Sequence, residues 1–154
     1  MSRTDELLYL ETDGACAYCG FKDSRALTIH HLQQSKPKDE SYDNKLVLCH
    51  NCHQQHHESK GVTTDELNKI KCRLIIKTLT RVGLNAMKQA RRQSEVVAMP
   101  FLVNHLVEFG YLIQREVIRG EWSENNASYT FIIDATYAIT PEGAALLKKW
   151  DFFK

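Results

Sequence analysis

The chain of 154 residues is 43% hydrophobic and 25% charged with a net charge of +1, a globular composition with room for one compact domain or two small ones. It has no run of about 18 apolar residues that could span a membrane, and its acidic start, MSRTDELLYLETDG, lacks the basic and apolar regions of a secretory signal. The expected compartment is the cytoplasm, where paired Cys-x-x-Cys motifs stay reduced and bind metal more readily than they form disulfides.

Charge is distributed unevenly. Residues 1–60 carry −2, residues 61–94 carry +6 and residues 95–154 carry −3. These three segments are the expected organisation: a metal-bearing module, a basic helical connector, and a C-terminal domain.

In chain order, Thr4 to Glu11 has an acidic first turn and apolar Leu7, Leu8 and Leu10, which predicts a short helix packed on the metal module. Next come Cys16-Ala-Tyr-Cys19-Gly20 and Cys49-His-Asn-Cys52. Two such pairs offer four thiolates to one Zn²⁺, and Gly20 suits the tight turn of a zinc knuckle. A redox role would need a thioredoxin-like βαβ pattern, which is missing. The 29 residues between the pairs contain a strand signal at Ala26–His31, a polar loop with Pro37, and a second strand signal at Asn44–Leu48. After Cys52, the run from His53 to Glu58 reads as the start of a helix.

His30-His31 at the end of a strand, Asn44 before Leu-Val-Leu-Cys49, and Cys49-x-x-Cys52-His53-x3-His57 together resemble the HNH nuclease family, the ββα-metal fold, in its zinc-stapled form. The resemblance spans about Cys16 to His57 and implies a role for each residue. His31 corresponds to the general base and Asn44 to the asparagine that holds the base-bearing loop. His30, His53 and His57 correspond to ligands of a catalytic divalent ion, Mg²⁺, Mn²⁺, Ni²⁺ or Zn²⁺, with three nitrogen ligands leaning away from Mg²⁺. His53 and His57, four residues apart, share one helical face. His56 points about 100° from His57 on a helix and is the alternative ligand; His50 reads as a surface residue. Cys16, Cys19, Cys49 and Cys52 are left for structural zinc.

The connector predicts a helix capped by Thr63 or Thr64 and running to about Thr80. Leu67, Ile70, Leu74, Ile75 and Leu79 form its apolar face, with Cys72 among them as a core residue. Lys69, Arg73, Lys77 and Arg81 recur every four residues as a basic stripe, which Lys88, Arg91 and Arg92 extend; phosphate contact is the expected role. The remainder predicts a helix from Leu84, a helix from Pro100 to Phe109, strands at Tyr111–Ile118, Ser128–Ile133 and Thr136–Ile139 around a polar turn at Arg119–Asn126, and a last helix opened by Thr140-Pro141. That order resembles winged helix-turn-helix domains such as the MarR-like regulators. Its helix at Pro100 offers only Asn104, His105 and Glu108 where a DNA-reading helix presents cations, so a dimerising or protein-binding role is expected as readily as DNA reading.

The expected fold is α+β, a zinc-stapled ββα-metal module followed by a winged-helix-like domain. The expected function is a metal-dependent DNA endonuclease that hydrolyses phosphodiesters with a histidine base and one divalent ion. A homodimer or protein partner through the winged helix is a further expectation. The alternative is a non-catalytic zinc-containing DNA-binding regulator or a winged-helix adaptor.

Overall fold

The computed structural model describes residues 3–150. Helix α1 (Arg3–Glu11) leads into the Cys16 knuckle, then strands β1 (Leu27–His31) and β2 (Lys45–Cys49) pair antiparallel, with His30 opposite Leu46 and His31 opposite Lys45. Helix α2 (His50–His57) follows β2 without a loop, and helix α3 (Thr64–Leu79) comes next. The first ββα unit is thus the expected one, with two shifts of boundary. Asn44 lies before β2, closing a 3-10 turn at Tyr42–Asn44, so its side chain turns toward the loop and not across the strand pair. Helix α2 begins at His50, ahead of His53, because the Cys49 thiol accepts the Cys52 N–H at 3.5 Å and caps the helix.

The chain divides between Thr78 and Leu79 into two compact units. The division falls inside the basic connector, and a buried ion pair gives the reason. Lys71 of α3 is wholly buried, and its Nζ donates to Glu11 Oε1 at 2.8 Å, while the Tyr42 hydroxyl donates to Glu11 Oε2. The ammonium also lies 3.7 Å over the Tyr42 ring. Helix α1, the turn before β2 and helix α3 therefore meet at one carboxylate, and Leu8, Leu46, Leu48, Leu67 and Ile75 of the same unit are fully buried. Removing one member of such a pair strands the other charge, which costs about 3–5 kcal/mol, whereas replacing both with apolar residues of similar volume is close to neutral. Lys71→Ala is expected to destabilise the first unit by that amount in urea unfolding, and Glu11→Leu combined with Lys71→Met to recover most of the loss.

Thr80, with φ of 61°, ends α3 and caps helix α4 (Arg81–Gln93) by accepting the Gly83 N–H. The second unit continues with β3 (Val96–Ala98), α5 (Pro100–Glu108), β4 (Leu112–Glu124), β5 (Ala127–Ile139) and α6 (Pro141–Lys149). Its antiparallel sheet has the order β3-β5-β4. The three helices bury Met87, Ala90, Val103, Leu106 and Leu147 with Leu112, Ala135 and Tyr137 of the sheet. Strand β3 was not expected: three residues before Pro100 read as a break, and their pairing with Ala135–Tyr137 is not local. The polar turn expected over Arg119–Asn126 shrinks to Asn125-Asn126, both left-handed at φ of 50° and 64°, the geometry that closes a two-residue hairpin. Beyond the reach of β3 this hairpin leaves Trp122, Tyr129, Phe131 and Ile133 open to solvent. At its base, Thr140 Oγ1 accepts the Gly143 N–H at 3.0 Å and donates to the Gly110 carbonyl at 2.6 Å. Gly143 is required there, since a Cβ would collide with the Tyr111 carbonyl. The molecule is α+β, and a single helix, α5, stands between β3 and β4.

Candidate active site and metal centres

The two Cys pairs converge. Gly20, at φ of 75°, lets the knuckle turn back, with the Gly20 N–H on the Cys16 carbonyl at 2.9 Å. The Ala17 N–H donates to the Val47 carbonyl at 2.9 Å, which docks the knuckle on β2 beside Cys49. The four Sγ atoms of Cys16, Cys19, Cys49 and Cys52 lie within 4.8 Å of one another, and Cys19 and Cys49 are 3.7 Å apart. Sulfurs around one tetrahedral Zn²⁺ at about 2.3 Å are separated by about 3.8 Å. The donors and their spacing fit that ion. Burial raises the Cys19 and Cys52 thiols; at Cys16 burial is outweighed by backbone hydrogen bonds at Cys19, Cys49 and Tyr18, and the thiol falls to about 7.

The second cluster joins the end of β1 to one face of α2. One ring nitrogen from each of His30, His53 and His57 lies within 4.8 Å of the others, with His53 Nε2 and His57 Nε2 3.3 Å apart. His30 is 2% exposed, and both its ring nitrogens are buried without a hydrogen-bond partner. An orphaned imidazole of this kind costs free energy unless something binds it. Burial, and then His56, His53, His57 and His31, lower its pKa to about 4, so the ring is neutral and has a lone pair to offer throughout the physiological range. Burial and His57 likewise lower His53. His56 is otherwise engaged: its Nδ1–H donates to the Val62 carbonyl at 3.0 Å. Of the two adjacent histidines, His57 is the one that joins the cluster. His50 is exposed.

Strand alternation turns His31 away from His30. Its side chain is 18% exposed, and Nε2 lies 3.1 Å from Glu40 Oε1. Lys45, paired with His31 in the strand register, sits 2.7 Å from Glu40 Oε2 and 3.2 Å from Asp5. Hydrogen bonding to Lys45 holds the Glu40 carboxyl below its usual range. Glu40 and Lys45 were not picked out from the sequence. Glu40 stands in a polar loop with no motif, and only the register that sets Lys45 opposite His31 points to either residue.

Asn44 is fully buried and is bonded to the loop from both ends of its amide. Oδ1 accepts the Gln33 N–H at 2.8 Å, while Nδ2 donates to the Gln33 carbonyl at 3.1 Å and to the Asp39 carbonyl at 2.9 Å. Both ends of the Gln33–Asp39 loop are thereby tied beside His31 and Glu40. Truncation removes three part-buried hydrogen bonds, each contributing about 0.5–1.5 kcal/mol. Asn44→Ala is expected to loosen this loop, read as faster amide exchange over residues 33–40 with the four-Cys cluster unchanged.

The basic residues are divided between two helices. Lys69, Arg73 and Lys77 belong to α3, but Thr80 breaks the helix, so Arg81 opens α4 together with Lys88, Arg91 and Arg92. Lys69 and Arg73 are exposed. Lys77 is drawn to the end of α1, 3.3 Å from the Glu11 carbonyl and 3.5 Å from Asp13.

No helix among the described residues is long and apolar enough to cross a membrane. No curated protein and no solved structure matches the chain. Residues 16–59, the segment that carries the four-Cys and three-His clusters and Asn44, match the family model of the HNH endonucleases.

Proposed function

We propose that this protein is a metal-dependent DNA endonuclease whose first unit cuts the phosphodiester backbone. The observation that carries the reading is His30: a buried, neutral, unpartnered imidazole directed at His53 and His57, one residue before a solvent-reached histidine. His30, His53 and His57 would hold the divalent ion, which supplies Lewis-acid stabilisation of the phosphate and leaving oxygen when bound. His31 takes the proton from the attacking water. Glu40 orients the His31 ring through Nε2, leaving Nδ1 to accept that proton, and the imidazolium that forms is stabilised by the carboxylate. Asn44 fixes the loop that carries Glu40. Cys16, Cys19, Cys49 and Cys52 hold a structural Zn²⁺, and Lys69 and Arg73 contact backbone phosphates, with a weaker part for Lys77.

The second unit is read as winged-helix-like from its three-stranded sheet and long hairpin. Trp122, Tyr129, Phe131 and Ile133, exposed on that hairpin, favour a homodimer or protein partner there, and a dimer would supply the second site needed to cut both strands. The test of the whole reading is a plasmid-nicking assay across Mg²⁺, Mn²⁺, Ni²⁺ and Zn²⁺ with chelator as blank. Nicked or linear product is expected with at least one metal. Salt-dependent binding without product under any metal, on protein carrying its structural zinc, would favour the DNA-binding regulator instead.

A further inference from the structure

We infer that α4 is a sequence-reading helix, which enters the major groove of duplex DNA and gives the protein a preferred site. This rests on the proposal that DNA is the substrate and adds to it where specificity resides. Helix α4 contains no acidic residue, and its two faces differ sharply. Leu84, Met87 and Ala90 are buried in the core of the second unit. On the opposite side Arg81, Asn85, Lys88, Gln89 and Arg92 follow the spacing of one helical stripe, all exposed except the half-buried Lys88. Four of them frame a surface cavity of about 350 Å³.

Two further observations select the ligand and the helix. From Glu95 to Trp150 the unit carries four Lys/Arg against seven Asp/Glu, so α4 is a basic face on an otherwise acidic unit and draws a polyanion. The neighbouring α5 presents no cation, and its His105 is engaged by the Leu79 carbonyl at 3.1 Å. Cations on their own would hold phosphates without reading sequence. Interleaved amides change that. The Asn85 amide has no hydrogen bond among the described residues, and Gln89 Nε2 bonds only to Gln93 Oε1, at 3.2 Å on the same exposed face. Asn and Gln match the N6/N7 edge of adenine, and a helix of 13 residues, about 20 Å long, fits a major groove about 12 Å wide. Asn85 and Gln89 read adenines; Arg81, Lys88 and Arg92 hold the flanking phosphates.

The test is selection from a random duplex library by the zinc-loaded full chain carrying His31→Ala, so that bound DNA is not cut. A short adenine-containing consensus is expected. Adding Asn85→Ala and Gln89→Ala should erase that consensus, lowering discrimination by roughly 5- to 150-fold per base read, with affinity for random duplex kept. Lys88→Ala with Arg92→Ala should instead weaken all duplexes alike and reduce the salt slope by about 2. A consensus unchanged by the two amide substitutions overturns the inference, as does binding with no consensus. The nuclease reading is scored separately on wild type: nicking without a consensus sinks only the role of α4, and an α4-dependent consensus in a protein that never cuts sinks only the nuclease.

Discussion

His31→Ala is expected to abolish plasmid nicking, lowering the rate by about 10²–10⁴-fold, the usual contribution of a positioned general base. The fold should not notice. The His31 side chain is part-exposed, and its one side-chain partner is Glu40, itself 60% exposed, so truncation leaves no buried group unpaired. Metal content should be unchanged as well, because His31 belongs to neither cluster. His30→Ala is expected to give the contrast: it should also stop cleavage, but by removing a proposed ligand, and so should weaken binding of the divalent ion in a calorimetric titration where His31→Ala does not. Glu40→Gln should fall between wild type and His31→Ala, since it keeps the contact to His31 but not the charge. Full activity in His31→Ala would remove the base from the mechanism. Loss of metal binding in that variant would make His31 a ligand and require another base.

What the sequence made legible and what it hid follow one physical distinction. The side-chain clusters are written in short spacings: Cys-x-x-Cys fixes a knuckle, His53 and His57 fix one face of a helix, and His30-His31 face opposite sides of a strand because neighbours point opposite ways. These depend on local geometry and could be read one motif at a time. Glu11 and Lys71 lie 60 residues apart, and nothing local distinguishes Lys71 from the solvated lysines around it. The same holds for β3, whose partner strand is some 40 residues on, and for Glu40 and Lys45, which matter only once β1 and β2 are in register. The basic stripe is divided between two helices for a related reason. A spacing of four continued through Thr80, but the chain turns left-handed there, and periodicity alone does not register a break in the helix that carries it.

Removing the zinc proposed for the four-Cys site is expected to unfold the first unit outright. Apparent binding energies of structural zinc sites are about 10–16 kcal/mol, more than a small domain's whole stability, so folding and metal binding are one equilibrium. Cys49 concentrates the effect. It ends β2 opposite Leu27, contributes a sulfur to the cluster, and caps α2 through the Cys52 N–H. Cys49→Ala removes the cap and the ligand together. In that variant, or in chelator-treated protein, limited proteolysis should cut within residues 3–78 while residues 79–150 resist, and the amide protection of β1 and β2 should be lost. The histidine cluster must disappear with it, for β1 positions His30 and α2 positions His53 and His57, and the cysteine sulfurs join α2 to the end of β2, the strand paired with β1. Cleavage should therefore be lost on zinc removal even with Mn²⁺ or Ni²⁺ in excess. Retained strand protection after the four-Cys site is emptied would mean that the Glu11–Lys71–Tyr42 cluster and the leucine core suffice, and that the zinc tightens a unit already folded. In that case Cys49→Ala would lower activity only in proportion to how far α2 drifts from His30.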